Sequence, residues 1–370
     1  MRATHAIIHL DHLLHNLDLI HQQAGSGCKI CLAVKANAYG HGIVEISKTA
    51  RKWGVEWFGV ATVEEGVMLR KAGIDSQVLL LGIPQFEEFE ELVLNDITTV
   101  VGDAEMIEAL EKTASRLKVQ RACHLKIDTG MGRIGCKPGE ALALARLIHQ
   151  SPVLRLEGIC THFPGSDFAD KIFAEKQIEE FDSVIRILEN EGITAPLIHA
   201  ANSGAIIGLK KSYFNMVRPG IMAYGYYPSI EQPRNLTLKP VMELKTRVSF
   251  IKKVPSGTPL SYGMTYKTSE DCYIATLPIG YGDGYSRLLS NRGRVLIKGQ
   301  SYPVVGRVCM DQCLVNLGPR TSIKRHDEVV LFGPDPRGPS AEEIADLMNT
   351  IPYETTCLIT NRVPREFKFL

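Results

Sequence analysis

Short apolar runs alternate with amphipathic stretches through the first 230 or so residues, and this alternation restricts the fold more than any other feature. The runs cover residues 30–34, 57–61, 78–81, 97–101, 122–127, 154–160, 196–200 and 214–217. Helical periodicity fills the gaps at 64–72, 87–94, 104–117, 139–149 and 169–190. Runs that are apolar throughout suit strands buried on both faces of a parallel sheet. Eight of them alternating with helices predict an α/β fold, a TIM-like (β/α)8 barrel. A doubly wound sheet shares the alternation, but its first turn should carry Gly-x-Gly-x-x-Gly, which the turn after Val34 lacks. Upstream, residues 4–10 form another strand candidate. A helix follows with Asp11 at its cap and Leu10, Leu13, Leu14 and Leu17 on one face.

Past Tyr227 the pattern changes. A proline-containing linker runs to Arg234, and short strand candidates follow at 241–254, 272–278, 293–298, 304–309, 313–317 and 328–332. One helix interrupts them, capped by Ser340, with Glu343 completing a capping box and Ile344, Leu347 and Met348 forming its apolar side. The expected division is a barrel over 1–230 and a mainly β C-terminal domain over 231–370, with residues 1–10 available to it as an extra strand.

Composition narrows the function classes. A net charge of +1 gives no reason to expect nucleic acid or an anionic membrane as partner. No stretch reaches the length of a membrane span, and residues 1–10 lack the apolar core of a signal peptide. Nine cysteines, odd in number and scattered through apolar runs, read as reduced thiols of a cytoplasmic protein. Cys28 and Cys31 make one CxxC with no second pair at zinc-ligand spacing, so no metal is expected.

A barrel keeps its chemistry where the strands end, with a phosphate site after strands seven and eight. Those positions hold Lys35 after the first run, Lys126 and Asp128 at the fifth, His162 after the sixth, Asn202 and Ser203 after the seventh, and Arg218-Pro219-Gly220-Ile221 after the eighth. A lysine at the end of a buried strand sheds part of its hydration shell, which lowers its pKa and frees its lone pair for imine chemistry. Gly40 and Gly42 permit a tight turn beside a ligand. The Ser203 hydroxyl and the N–H groups of Gly220 and Ile221 suit a phosphate.

Ala33-Val34-Lys35-Ala36-Asn37-Ala38-Tyr39-Gly40-His41-Gly42 resembles the pyridoxal-phosphate lysine motif of the bacterial alanine racemases. The resemblance continues through His124-Leu125-Lys126-Ile127-Asp128-Thr129-Gly130-Met131-Gly132-Arg133, Thr161-His162-Phe163 and Ala201-Asn202-Ser203. It extends to Arg218-Pro219-Gly220-Ile221, Ser261-Tyr262-Gly263, Gly280-Tyr281-Gly282-Asp283-Gly284-Tyr285, Arg307-Val308-Cys309-Met310-Asp311 and Arg362-Val363-Pro364-Arg365. It therefore spans the chain in order.

The resemblance implies a homodimeric, cytoplasmic racemase that interconverts L- and D-alanine with pyridoxal 5'-phosphate and supplies D-alanine for peptidoglycan. Lys35 resembles the lysine that carries the cofactor and serves as base for the D-enantiomer. Tyr262 resembles the base for the L-enantiomer, aided by His162 and Arg218 and reaching the site of the other subunit. A phenol with its ordinary pKa of about 10 needs such help. Arg218 resembles the arginine facing the pyridine nitrogen, where a permanent cation disfavours ring protonation. Tyr39 and Tyr353 resemble the tyrosines that join Ser203, Gly220 and Ile221 at the phosphate. Arg133 and the Met310 N–H resemble the contacts of the substrate carboxylate. Lys126 resembles a lysine carbamylated in some members, where the carbamate would orient Arg133. In an extended strand Asp311 points away from the Met310 face, so it is expected to support the strand. Asp167, Arg307 and Ile351 resemble residues of the entrance corridor, while Phe163-Pro164-Gly165-Ser166-Asp167 departs from the family's usual loop. A cofactor carrier would lack the β domain, a decarboxylase would place an acid at Arg218, and a racemase of serine preference is not separated by sequence.

Overall fold

In the computed structural model, which describes residues 2–369, the chain forms an eight-stranded parallel sheet and a nine-stranded mixed sheet. The first strand, β1 (His5–His9), belongs to the larger sheet. The parallel strands are β2 (Lys29–Ala33), β3 (Trp57–Val60), β4 (Gln77–Leu80), β5 (Thr98–Val101), β6 (Arg121–Lys126), β7 (Leu154–Cys160), β8 (Leu197–His199) and β9 (Met216–Val217). Each pairs with its sequence neighbour from β2 to β8, and β9 returns to pair with β2. The remaining gap between β8 and β9 is bridged by Asn215 N–H to Ile198 O (3.3 Å) and Arg218 N–H to Ala201 O (2.8 Å). The barrel is thus nearly closed, as the alternation predicts. Its lumen is packed by Cys31, Trp57, Leu79, Val100, Cys160, Leu197 and Met216.

The larger sheet runs Phe250–Val254, Cys272–Leu277, Cys313–Asn316, Gln300–Val305, Arg294–Ile297, Glu328–Phe332, Met242–Arg247, β1 and Arg365–Lys368. Its two last members come from opposite ends of the chain and pair in parallel. The continuous run at 241–254 is two strands rather than one. Val248 N–H bonds Asp327 O while Ser249 N–H bonds Thr276 O, so the chain changes partners there.

Three local expectations are corrected. β1 feeds directly into the helix Leu10–Ala24, so His9 takes the cap position with no side-chain bond and Asp11 falls in the first turn. There its carboxylate still suits the positive end of the helix dipole. Ser340 Oγ does accept from Glu343 N–H (3.0 Å), but the Glu343 carboxylate is held by Arg294 at 2.7 Å through both oxygens. A bidentate ion pair outcompetes the reciprocal half of the box. Finally, the strand Gln300–Val305 stops before Gly306 (φ 72°), so Met310 and Asp311 lie in a bend closed by Cys309 N–H to Gln312 O (2.9 Å). Strand alternation does not govern them. Asp311 is exposed and pairs with Arg362 (2.6 Å).

Candidate active site

A cavity of roughly 270 Å³ opens at the C-terminal ends of the barrel strands, lined by Lys35, Ala61, Leu81, Gly82, Val100, Lys126, Arg133, Ile134, Cys160, His162 and Arg218. Four cationic side chains face it, and no carboxylate does.

Lys35 follows β2 at the start of an unusual turn. Ala36, Asn37, Ala38 and Tyr39 all hold φ between 51° and 54°, a left-handed turn built from residues with side chains. The glycines expected to carry the turn, Gly40 and Gly42, extend it at φ 84° and 100°. Each left-handed non-glycine residue costs about 1–2 kcal/mol, so the surroundings must fix the turn. Ala38 N–H bonds Val34 O (2.7 Å), Ile43 N–H bonds Asn37 Oδ1 (2.9 Å), and Ala36 N–H bonds Glu65 Oε1 (2.6 Å). Glu65 Oε2 accepts from Ala61 N–H (2.8 Å), so one carboxylate ties the ends of β2 and β3 together beside Lys35. Burial, then the Arg133 charge, lowers the Lys35 pKa, while Glu65 opposes the shift. Desolvation favours the neutral amine.

Lys126 ends β6 and is buried; desolvation pushes its pKa down to about 8. Lys126 makes no ion pair with Asp128 among the described residues, and that carboxylate accepts from Gly130 and Gly132 N–H (2.9 Å each). Lys126 is left without an ion-pair partner of its own, beside Arg133.

Arg218, buried, touches no carboxylate. Its Nη1 donates to His199 Nδ1 (2.6 Å), and its Nη2 to Thr161 O (2.7 Å), Ala200 O (3.0 Å) and His162 Nδ1 (3.3 Å). Burial and the Arg218 charge hold the His162 pKa well below its ordinary value. A neutral His162 accepting at Nδ1 carries its proton on Nε2.

Across the mouth, Ser203 Oγ accepts from Gly220 N–H (2.9 Å) and Met222 N–H (3.3 Å). A side chain on Gly220 would meet the Tyr39 hydroxyl at 2.6 Å, so any other residue here would displace the Tyr39 ring. The Tyr39 ring lies 5.8 Å from that of Tyr353, and burial raises both phenol pKa values, leaving two O–H donors at neutral pH. The Ser203, Tyr39 and Tyr353 hydroxyls thus form a small cup of neutral donors, with Gly220 N–H bonded to Ser203 within it. Ile221 is buried behind it.

Two expected residues stand apart. Tyr262 is 73% exposed and Met310 53% exposed, and neither lines the cavity that holds Lys35. Tyr262 borders a separate depression with Ser261, Cys309, Gln312, Cys313 and Leu314. Arg307 packs over Gly263 next to Tyr262, Asp167 lies against Gly204, and Ile351 is exposed.

The family with the description "Alanine racemase, N-terminal domain" matches residues 8–228, and "Alanine racemase, C-terminal domain" matches residues 241–367. The chain belongs to the alanine racemase family. The alanine racemase of Treponema denticola is 46% identical over 99% of this chain and 98% of its own. The solved alanine racemase of Clostridium difficile 630 superimposes with a TM-score of 0.95 at 39% identity, covering 99% of this chain and 96% of that one. A cycloserine complex of the latter gives 0.94 at 38% identity, over 100% and 96%.

Sequence reasoning missed Glu65, His199 and His124. Glu65 was visible only as the fourth residue of Thr62-x-x-Glu65, a helix-start pattern, and Thr62 Oγ does accept from Glu65 N–H (3.3 Å). Nothing local distinguishes a carboxylate that also ties two strands. Among the described residues no group of histidine, cysteine or acidic side chains could hold a metal, and no helix is long and apolar enough to cross a membrane.

Proposed function

We propose that this protein interconverts L- and D-alanine with pyridoxal 5'-phosphate, as a cytoplasmic homodimer that supplies D-alanine for peptidoglycan. The observation that carries the reading is Lys35: a half-buried amine of lowered pKa in a cavity with three other cations and no carboxylate. Such a cavity fits an anionic aromatic cofactor and an amino acid's carboxylate. The neutral cup of the Ser203, Tyr39 and Tyr353 hydroxyls fits a phosphate, with Ile221 N–H as a further donor and Gly220 N–H available once it leaves Ser203 Oγ.

When bound, the cofactor draws electrons from the substrate and so acidifies its α-proton. The chain must then move that proton. Lys35 Nζ would bear the cofactor and, once released, exchange a proton with Cα on one face. Tyr262 Oη exchanges it on the other face, from a second copy of the chain. His162, holding its proton on Nε2 because Nδ1 faces Arg218, would donate to a phenolate brought to it and so lower the cost of forming one. Arg218 presents a permanent cation that no base in the site can deprotonate. Arg133 and the Met310 N–H take the substrate carboxylate; that N–H has no acceptor among the described residues. A neutral Lys126 amine can take up CO2 and release a proton, giving a carbamate that pairs with Arg133. Asp311 acts at one remove, holding Arg362.

The test is loss of optical activity for a panel of L- and D-amino acids, measured with the wild type, Lys35→Ala and Tyr262→Phe. Racemisation of alanine by the wild type alone supports the reading. A wild type that leaves alanine unchanged would overturn it.

A further inference from the structure

Arg218 is the near end of a line of polar groups that runs down through the barrel. Its Nη1 donates to His199 Nδ1 (2.6 Å), and His199 Nε2 lies 2.8 Å from His124 Nδ1. His124 Nε2 lies 3.6 Å from Glu157 Oε2, beyond hydrogen-bond length but within ion-pair range. Glu157 Oε1 accepts from Arg155 (2.8 Å). Both histidines are fully buried, and the His124 ring sits 5.5 Å from Trp57, part of the apolar lumen. Neither His124 Nε2 nor Glu157 Oε2 has any other polar partner.

The direction of every proton in this line follows from one fact. A guanidinium only donates, so His199 Nδ1 must accept and its proton sits on Nε2. That proton is given to His124 Nδ1, which places the His124 proton on Nε2, facing Glu157. Burial lowers both histidine pKa values, which keeps the rings neutral. Each imidazole then has its lone pair towards Arg218 and its N–H towards Glu157. The two ring dipoles align between a buried cation and a carboxylate, the favourable arrangement in a low-dielectric lumen.

The backbone is shaped for this contact. Strands β6 and β7 are in register until Cys123 opposite Leu156, after which His124 stands opposite Gly158. Glu157 is the extra residue of a β-bulge, a device that re-aims one side chain. Gly158 carries no side chain where one would come within 2.5 Å of the His124 ring. Glu157 also lines a second, open cavity at the N-terminal end of the barrel, with Lys29, Trp57, Gln77 and Leu197.

We propose that Glu157, His124 and His199 form a directed relay fixing the hydrogen-bonding pattern of Arg218, so that His124 and Glu157 are positioning residues for chemistry at the opposite end of the barrel. The relay rests on the proposed role of Arg218 in the reaction. A flipped proton at either histidine would set N–H against N–H and push Arg218 off its acceptors, including His162.

The test is side-chain 15N NMR of the full-length, histidine-labelled protein, with His124→Asn and His199→Asn giving the assignments. Both rings should be neutral and protonated on Nε2. Glu157→Leu should reduce the Nε2-protonated fraction at His199 and lower kcat by roughly tenfold with KM within about twofold. Glu157→Gln, which retains an acceptor oxygen, should restore most of both. An Nδ1-protonated or doubly protonated ring in the wild type overturns the relay even if Glu157→Leu fails to fold. So does a Glu157→Leu enzyme with unchanged ring signals and kcat. The tautomer readout needs no turnover: inactivity towards alanine would defeat the racemase reading and leave the relay to stand or fall on the NMR.

Discussion

At the barrel mouth, Lys35, Lys126 and Arg218 are withdrawn from solvent, and two of the three have altered local environments built by their own chain: a left-handed turn beneath Lys35 and two imidazoles behind Arg218. Tyr262 and Met310, on the second sheet, are mostly exposed and share no cavity with them. One region is wired internally before any ligand arrives. The other presents its groups outwards. Buried polar groups must find partners within the chain, whereas exposed ones need none. The contrast therefore marks which half of the site one chain completes by itself, and the proposed homodimer supplies the other half by bringing a second copy's Tyr262 to Lys35.

Substitutions can separate the two regions. Lys35→Ala removes the proposed cofactor anchor and one base, and racemisation in both directions should fall by more than about 10⁴-fold, read by polarimetry. Tyr262→Phe should abolish net racemisation almost as completely, yet exchange of the α-hydrogen of D-alanine with deuterated solvent should persist, because Lys35 still serves its own face. Being exposed, this change should move stability by no more than about 0.5 kcal/mol in urea unfolding. Loss of exchange together with racemisation would contradict the division of labour.

The internal wiring predicts a pH effect. With a folded pKa of about 8 against an ordinary 10.5, Lys126 is deprotonated in the folded chain over a range where the unfolded chain still holds its proton. In CO2-free buffer the wild type should gain stability relative to Lys126→Met as pH rises from about 8 to 10.5, by at most about 1.4 kcal/mol per pH unit. A pH-independent difference would refute the buried, unpaired lysine. Glu65→Ala should cost about 2 kcal/mol in urea unfolding, since the N–H groups of Ala36 and Ala61 lose their shared acceptor. Ala36→Gly is the smallest case. Ala36 is exposed at φ 51°, so relief of the left-handed strain should outweigh the added chain entropy and raise stability by about 0.5–1 kcal/mol.

Much of the barrel was legible because its strands are short, apolar and spaced by helices. The period of the pattern is a consequence of burial on both faces, so it survives in sequence. Residues 154–160 and 104–117 match the observed strand and helix at both ends. The second sheet was less readable: the break at Val248 is made by two partners 79 and 27 residues downstream in sequence, Asp327 and Thr276, and no local signal announces it. The positions of Lys35, Lys126, His162 and Arg218 at strand ends followed from the fold itself, and all four line one cavity. The left-handed turn did not follow, because alanine and asparagine carry no mark of positive φ. Nor did His124 and His199 stand out, since a histidine in an apolar run reads as an ordinary core residue until its partner across the lumen is known.

The most direct test of the central claim mixes the two inactive proteins. Lys35→Ala and Tyr262→Phe chains, unfolded together and refolded, form hybrids in which one site carries both lesions and the other carries neither. If Lys35 and Tyr262 of different chains make one site, the mixture regains about a quarter of wild-type racemisation: half the dimers are hybrids by random pairing, each with one intact site. If the mixture, with hybrids verified by mass, is as inactive as its parents, the two residues do not meet across an interface.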